Sequence, residues 1–348
     1  MTEELTETER RPVLAARRVT KHFQVRGRRT VRALEDATVE LHGGSIVALV
    51  GESGSGKTTL ARVLARYCPP TDGTIELDGR TIDERNNSIR RYYGRVQLLF
   101  QDPFASLNPL HSIRHILGRP LRIHQRAKGR AEVEQAILAL LGRVNLTPAE
   151  DYIDKYPHEL SGGQRQRIVI ARALAVGPRV MLGDEPISML DVSIRLDILN
   201  LLKQLRDDGL ALLYITHDIA SARYVADEIK VMYAGQMIES GPTEQVIQHP
   251  AHPYTRLLLA SSPNPEAAQD QGRPRRYAGA GDLGEPPSLI DPPAGCRFNP
   301  RCPYAMRICR TTEPPVTELG RGHWTRCHLD RTELLRPTSD LDGEGARS

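Results

Sequence analysis

The stretch Gly51-Glu52-Ser53-Gly54-Ser55-Gly56-Lys57-Thr58 decides the fold of this 348-residue chain. It fits the pattern G-x-x-x-x-G-K-[ST], whose glycines allow a tight turn that points several backbone N–H groups at one anion. A short apolar run at residues 46–50 precedes the stretch, and Leu60, Val63 and Leu64 follow it at helical spacing. The sequence therefore predicts a buried strand, a phosphate-binding loop and a helix, in preference to a flexible glycine turn.

The loop residues predict contacts to a nucleotide. Lys57 is expected to reach the β- and γ-phosphates, and the Thr58 hydroxyl is expected to bind Mg2+. Phe23 lies upstream and would suit stacking on a nucleobase, although a position in the core would explain it as well. The residues of this stretch that are predicted to contact the nucleotide are Gly51, Glu52, Ser53, Gly54, Ser55, Gly56, Lys57, Thr58 and Thr59.

Charge and hydropathy limit the classes of protein to which the chain can belong. Its 47 basic and 43 acidic residues give a net charge of +4 and are spread along the chain, which favours neither nucleic-acid binding nor an acidic ligand. No apolar run approaches the roughly eighteen residues of a membrane span, and residues 1–11 are too acidic and polar for a signal peptide. We therefore predict a cytoplasmic location and no nucleic-acid partner.

Strand-like segments surround the loop. Residues 14–41 are predicted to form short strands with a turn at Gly27, and residues 73–79 are predicted to add a strand to the same small antiparallel sheet. Residues 96–100 predict a buried strand that leads to Gln101. A polar side chain at the carboxyl end of such a strand is well placed for the ligand crevice of an α/β sheet.

Helical spacing replaces the strand pattern between residues 102 and 175, which we interpret as an inserted helical subdomain. The segment contains Leu160-Ser161-Gly162-Gly163-Gln164, in which Ser161 is a plausible N-cap of the following helix. A serine and two glycines at a helix N-terminus can bind an anion, and they can equally be an ordinary helix cap.

Acidic and basic side chains follow two later apolar strands. The run at 180–183 leads to Asp184 and Glu185, of which Asp184 suits a Mg2+ ligand and Glu185 could polarise an attacking water. A solvated acidic turn is the alternative. His217 follows a strand predicted at 211–215 and could contact a γ-phosphate, although a lone histidine is more often structural or exposed.

Four of the five cysteines fall in the last fifth of the chain, in the pattern Cys296-x5-Cys302-x6-Cys309-x17-Cys327. These intervals differ from the short C-x2-4-C pairs of common zinc sites, so the spacing alone leaves the metal open. The preceding residues 262–295 are rich in proline and glycine and predict an extended arm.

Taken in order, these motifs resemble those of an ABC-transporter ATPase subunit over residues 14–250. The resemblance implies an α/β fold with a RecA-like P-loop NTPase core, an antiparallel β subdomain and an inserted helical subdomain. It implies that Thr58, Gln101 and Asp184 hold Mg2+, and that two subunits pair head to tail around two ATP molecules. By position, the resemblance implies that Gln101 is the Q-loop glutamine, Glu185 the catalytic glutamate, Asp191 the D-loop aspartate and His217 the switch histidine. It implies that the signature motif contains Ser161, Gly162, Gly163 and Gln164.

Two residues depart from the usual family pattern. Gly183 replaces a bulkier apolar residue before the acidic pair, and Met189 replaces alanine in the D-loop. Neither change removes a reacting group, so we expect ATP hydrolysis.

The closer resemblance is to the peptide-transport branch, which shares stretches like that at residues 100–109 and has a C-terminal extension beginning near His252. In that branch the resemblance implies a [4Fe-4S] cluster on Cys296, Cys302, Cys309 and Cys327, with zinc or unligated thiols as alternatives. The predicted domains are a disordered N-terminus (1–12), the ATPase domain (13–250), the extension (251–335) and a disordered tail (336–348).

The resemblance also implies partners and a function. We expect an ATP-hydrolysing subunit of a di- or oligopeptide importer on the cytoplasmic face of the membrane. Its expected partners are a second ATPase subunit, a paralogue rather than an identical chain, two transmembrane permease subunits and an extracytoplasmic solute-binding protein. Oligosaccharide import, suggested by residues 188–195, nickel import, and a soluble ABC ATPase without a transport role are the alternatives.

Overall fold

A computed structural model of the chain describes residues 11–25, 29–82, 89–261 and 284–335. The predicted turn at Gly27 and the tail predicted to be disordered lie outside these residues. So do nearly all of the N-terminal segment predicted to be disordered and most of the proline- and glycine-rich arm.

Two β-sheets form the framework. The strands are β1 (Leu14–Val25), β2 (Arg29–Leu41), β3 (Ile46–Val50), β4 (Asp72–Leu77), β5 (Arg80–Thr81), β6 (Val96–Leu99), β7 (Val180–Asp184), β8 (Ala211–Thr216), β9 (Glu228–Tyr233), β10 (Gln236–Pro242), β11 (Val316–Gly320) and β12 (His323–Arg326). The larger sheet has the order β11-β12-β10-β9-β3-β8-β7-β6, and the smaller one has the order β2-β1-β4-β5.

Helices cover both faces of the larger sheet or connect its strands. They are α1 (Lys57–Leu64), α2 (Ile89–Tyr93), α3 (Pro103–Ser106), α4 (Ile113–Ile123), α5 (Arg130–Arg143), α6 (Glu150–Ile153), α7 (Gly162–Leu174), α8 (Val192–Asp207), α9 (Ile219–Val225), α10 (Thr243–Gln248), α11 (Pro253–Ala260) and α12 (Arg331–Leu334). In the described part of the chain, no helix combines the length and apolarity needed to cross a membrane.

The centre of the larger sheet is parallel, with β3 between β8 and β9 and with β7 between β6 and β8. Every residue of β3, β7 and β8 is buried, which explains their nearly continuous apolar sequences. Because these strands are parallel, the loops after β3, β6, β7 and β8 meet at one edge of the sheet.

The smaller sheet is antiparallel, as predicted, and contributes the other side of the core. Its strands β1 and β2 have 12 and 13 residues, longer than the short strands that the sequence indicated. Register shifts interrupt their pairing, one of them between Ala16 and Val19. Such bulges twist the strands and break the simple alternation of polar and apolar residues from which strand length is predicted.

Helices α3 to α7 lie between β6 and β7, where the sequence predicted a helical insertion. Their apolar side chains, among them Leu117, Ile137 and Ile170, belong to the same core cluster as β3 residues such as Ile46. The insertion is therefore packed against the sheet rather than separate from it.

The last part of the chain extends the larger sheet. Strand β12 pairs antiparallel with β10, where Glu239 lies opposite Thr325, and β11 pairs with β12. The buried Arg256 guanidinium donates to the carbonyl oxygens of Pro250 and Leu334, joining α11 to the end of α12. The boundaries predicted at residues 12, 250 and 335 stay predictions.

Candidate functional site

Backbone atoms of neighbouring segments surround the phosphate loop between β3 and α1. A Cβ atom at Gly51 would lie 2.1 Å from the carbonyl oxygen of Met232, and one at Gly56 would lie 2.5 Å from that of Ala33. Gly56 also has a φ of 106°, a conformation that residues with a Cβ rarely adopt. The two outer glycines of the motif are thus required by the packing as well as by the turn.

Lys57 lies inside this loop. Its ammonium group donates to the carbonyl oxygens of Gly51 and Glu52, each at 2.7 Å. Burial lowers the pKa of Lys57, while the carboxylates of Glu185, Asp184 and Glu52 act in the opposite direction. The loop therefore holds a cation at the position where a polyphosphate would be bound.

Thr58 and Asp184 form an oxygen-rich pair at the start of α1. The Thr58 hydroxyl donates to Asp184 Oδ1 at 3.1 Å. Burial raises the pKa of Asp184, the hydrogen bond from Thr58 opposes the shift, and the charge of Glu185 adds to it. A bound cation would reverse this destabilisation of the carboxylate, and hydroxyl and carboxylate oxygens are ligands that Mg2+ accepts. The residues present fit a magnesium ion.

Glu185 connects the ends of three parallel strands. Its Oε2 accepts from Gln101 Nε2 at 3.1 Å, and its Oε1 lies 3.2 Å from His217 Nδ1. Its backbone has a φ of 49°, in the left-handed region, and its N–H donates to Ile215 O at 3.0 Å. A glutamate in this conformation is uncommon, and such strained residues cluster at functional sites.

Most of the predicted nucleotide-site residues line one cavity of about 830 Å3. Phe23 lies at its rim, 39% exposed, with the Lys21 ammonium 5.0 Å from its ring centroid. Asp184 is not on the cavity wall itself, but it accepts a hydrogen bond from Thr58, which is. The predicted residues on the cavity wall are Phe23, Gly51, Glu52, Ser53, Gly54, Gly56, Lys57, Thr58, Thr59, Gln101, Glu185 and His217.

The residues of the second predicted anion site lie elsewhere. In the described part of the chain, the residues that line the cavity do not include Ser161, Gly162, Gly163, Gln164 or Asp191. Ser161 caps α7 in a reciprocal pair, accepting from Gln164 N–H at 3.3 Å and donating its own N–H to Gln164 Oε1 at 3.0 Å. Asp191 is the N-cap residue of α8.

Sequence reasoning missed Val31 and Ala33 of β2, which line the cavity, and four residues from the last hundred residues of the chain. Leu258 and Leu289 line the cavity, and Tyr254 and Arg301 hydrogen-bond to Glu52 of the phosphate loop. No local pattern marks them, because their positions depend on contacts between distant parts of the chain.

The prediction of an iron–sulfur cluster is wrong. Across the ranges that the structure describes, no group of three or more His, Cys, Asp or Glu side chains is arranged to hold a metal ion. The four cysteines do line one cavity, but its volume of about 10 Å3 has room for only about one water molecule. The residues affected are Cys296, Cys302, Cys309 and Cys327.

The buried thiols have raised pKa values. Burial raises the pKa of Cys302 and of Cys327 to about 12, and the charges of neighbouring cysteines act in the same direction. A bound metal ion would lower both values, because cysteines bind metals as thiolates, so the arrangement of the side chains and the volume of the cavity, rather than protonation, speak against a cluster. Spacing identified residues that meet in the fold, but it did not establish the arrangement or the room that a cluster needs.

Two family models match the chain. The first is described as ABC transporter and matches residues 34–188. The second is described as oligopeptide/dipeptide transporter, C-terminal region, and matches residues 238–309.

Curated relatives are similar over nearly the whole chain. The putative oligopeptide transport ATP-binding protein YkfD of Bacillus subtilis is 40% identical over 324 residues, which are 92% of this chain and 97% of the relative. The di/tripeptide transport ATP-binding protein DppF of Pseudomonas aeruginosa is 40% identical over 325 residues, covering 91% of this chain and 97% of the relative.

Solved structures share the nucleotide-binding part of the fold. The ATP-binding cassette MJ0796, in a dimeric post-hydrolysis state bound to ADP and Pi, is 29% identical with a TM-score of 0.59, covering 66% of this chain and 98% of that one. CbiO1 of Clostridium perfringens, part of the cbiONQ ABC transporter complex, is 26% identical with a TM-score of 0.61, covering 68% and 90%.

Proposed function

This chain belongs to the ATP-binding subunits of the oligopeptide/dipeptide family of ABC transporters, and we propose that its ATPase activity drives the uptake of di- and oligopeptides. The observation that carries hydrolysis is the convergence of Glu185, Gln101 and His217 on the cavity of the phosphate loop. The cargo class rests on the C-terminal family match and on the names of the relatives.

In the proposed mechanism, backbone N–H groups of the loop and the Lys57 ammonium bind the phosphates and offset their charge. Thr58 and Asp184 would hold Mg2+, and the ion would supply positive charge that offsets the charge of the phosphates. Gln101 is a third candidate ligand, through its amide oxygen, because its Nε2 is directed to Glu185. Phe23 would stack on the base at the rim of the cavity.

Glu185 is the proposed catalytic group. Its carboxylate would accept a hydrogen bond from the attacking water and orient it toward the γ-phosphate. Gln101 and His217 hydrogen-bond to its two oxygens, so they restrict the directions in which the carboxylate points. His217 is also a candidate contact to the γ-phosphate as it leaves ADP.

The second anion site would act in a pair of subunits. Ser161, Gly162, Gly163 and Gln164 begin α7 away from this chain's own cavity. We propose that they close over the nucleotide of the partner ATPase subunit, with Asp191 at the interface. A paralogue is the proposed partner. Each site would then contain half of its residues from each chain.

Contacts with the two permease subunits are proposed on the helical insertion near residues 102–120. A cavity of about 620 Å3 opens there between Pro109, Leu110 and residues 151–159. Leu110 is 81% exposed, and an apolar side chain this exposed beside a cavity suits a protein interface. The subunit would thus work on the cytoplasmic face of the membrane, and an extracytoplasmic solute-binding protein would deliver the cargo.

The test is ATP hydrolysis by the chain copurified with its permease and ATPase partners. Their solute-binding protein would be loaded in turn with peptides, oligosaccharides or nickel. We expect stimulation by peptides alone. Stimulation by sugars or nickel would contradict the cargo but keep the catalytic roles, and no stimulation by any cargo would favour an ATPase without a transport role.

A further inference from the structure

Three separate segments of the C-terminal extension (residues 251–335) reach the nucleotide cavity. Leu258 of helix α11 and Leu289 of an irregular segment line it, whereas Tyr254 of α11 and Arg301 of a 3-10 turn contact Glu52, one of its wall residues. They reach both ends of the cavity, near the phosphate loop and near Phe23.

At the phosphate end, two side chains of the extension bind Glu52. The Glu52 N–H donates to Tyr254 Oη at 2.8 Å, and Arg301 Nη1 donates to Glu52 Oε2 at 2.8 Å. The Arg301 side chain is 11% exposed and that of Glu52 is 29% exposed, so solvent screens this ion pair less than it screens a surface pair.

Aromatic contacts hold the Arg301 guanidinium in place. It lies over the rings of Tyr233 and Phe298, with its carbon 5.8 and 6.0 Å from their centroids. It also donates to Tyr233 Oη at 3.2 Å. Because a guanidinium already held by two rings and a hydroxyl loses little freedom when it pairs, Arg301 is well suited to position a carboxylate.

The charge of Glu52 gives this contact a consequence for binding. Glu52 belongs to a loop whose function is to bind a polyanion, and an unpaired carboxylate there would repel the phosphates. Arg301 pairs with that carboxylate and offsets its charge. The neighbouring N–H of Glu52 is fixed at the same time by Tyr254.

At the base end, the extension continues the wall formed by the smaller sheet. Leu289 O accepts from the Arg32 N–H at 2.9 Å, and Ile290 forms an antiparallel bridge with Val31. Val31 in turn lies opposite Phe23 in the β1–β2 pairing. Leu289 is therefore held at the end of the cavity where the base would stack on Phe23.

We propose that the C-terminal extension is part of the nucleotide site of its own chain, with Arg301 as a positioning residue for the phosphate loop and Leu289 as a wall for the nucleobase. The proposal rests on the ATP binding of the proposed function and is independent of the cargo. It gives the extension a direct effect on ATP affinity.

The first experiment measures the Kd of ATP and steady-state hydrolysis for Arg301→Gln in the full chain. Loss of the cation leaves Glu52 unpaired beside the phosphates, so Kd and KM should rise about tenfold with kcat changed less than about twofold, as for a partly buried ion pair near 1.4 kcal/mol. The matched control is Arg143→Gln, which removes an exposed pair with Asp208 at 2.9 Å and should leave both constants unchanged.

A charge cycle separates this effect from a loss of folding. In the double variant Glu52→Gln/Arg301→Gln the repelling carboxylate is also gone, so most of the affinity lost in Arg301→Gln should return. Arg301→Lys, which keeps the charge, should also recover part of it. A double variant that binds ATP no better than Arg301→Gln would overturn the proposal, as would wild-type affinity in Arg301→Gln.

A second probe distinguishes the two ends of the cavity. Inorganic tripolyphosphate has no base, so Leu289→Ser should weaken binding of ATP and leave binding of tripolyphosphate unchanged. Arg301→Gln should weaken both. If Leu289→Ser leaves the Kd of ATP unchanged, or weakens both probes equally, the base-wall assignment is wrong. If the wild-type chain itself binds no ATP, the proposed function fails and the role of the extension fails with it, whereas ATP binding by the wild type that neither Arg301→Gln nor Leu289→Ser weakens would overturn the role of the extension alone.

Discussion

Glu185→Gln tests the proposed catalytic group most directly. The substitution keeps the size of the side chain but replaces one carboxylate oxygen with an amide nitrogen, which cannot accept a hydrogen bond from water. We expect the variant to bind ATP and to lose turnover. Binding should be equal or slightly tighter, because a negative charge beside the phosphates is removed.

The structure sets the expected magnitudes. The Glu185 side chain is 19% exposed and has two hydrogen-bond partners, Gln101 and His217. Loss of one acceptor should change the free energy of unfolding by about 1 kcal/mol. Loss of general-base assistance should lower kcat by about 10²- to 10⁴-fold, which corresponds to about 3 to 5 kcal/mol in the activation barrier. Catalysis should therefore fall far more than stability.

The assay is single-turnover hydrolysis together with the Kd of ATP and the melting temperature. Glu134→Gln is a matched control, because Glu134 forms an exposed ion pair with Arg114 at 2.8 Å on the helical insertion. The control should hydrolyse ATP like the wild type. Retention of more than about a tenth of the wild-type rate in Glu185→Gln would refute the assignment of Glu185 as the water-orienting group.

Three further predictions follow from local contacts. Thr58→Val removes the hydroxyl that donates to Asp184, and it should raise the Mg2+ concentration required for half-maximal hydrolysis about tenfold; an unchanged Mg2+ titration would contradict the assignment. Gly163→Ala would place a Cβ 2.5 Å from Ile194 Cγ2 and should lower the free energy of unfolding by about 1–3 kcal/mol in urea. The control Gly142→Ala, whose Cβ would meet nothing within 4 Å, should stabilise α5 by about 0.5–1 kcal/mol. Equal effects of the two substitutions would refute the packing argument. Burial, assisted by the charge of Arg256, lowers the pKa of His252 to about 3 from 6.5, so its contribution to stability is complete above pH 6.5 and falls by up to about 1.4 kcal/mol per pH unit below it. His252→Asn keeps an acceptor for the Tyr254 N–H and should lose that part of the pH dependence. Urea unfolding of the wild type and of His252→Asn is measured at pH 7 and at pH 5. If the free energy of unfolding changes equally in the two proteins between these pH values, His252 does not titrate as described.

The sequence by itself determined the features that depend on a few neighbouring residues. The loop at 51–58 requires glycine because of its tight turn, Ser161 and Gln164 cap a helix three residues apart, and apolar runs of five or six residues mark the buried parallel strands. From the order of such motifs the family, the α/β class and the candidate site residues could be predicted.

Tertiary structure decided what depends on distant contacts. Glu185 meets Gln101 and His217, which are 84 and 32 residues away, only because parallel strands end at one edge of the sheet. The pairing of β12 with β10 extends that sheet with strands that the sequence did not indicate.

Two outcomes at the C-terminal extension show the physical reason. Arg301 reaches Glu52 across 249 residues, and no spacing in the sequence encodes such a contact. The cysteines do meet, as their clustering suggested, but the cavity that they line is too small for a cluster. Residue type and spacing give the available chemistry, whereas burial, charge and volume, which exist only in the folded chain, decide whether that chemistry occurs.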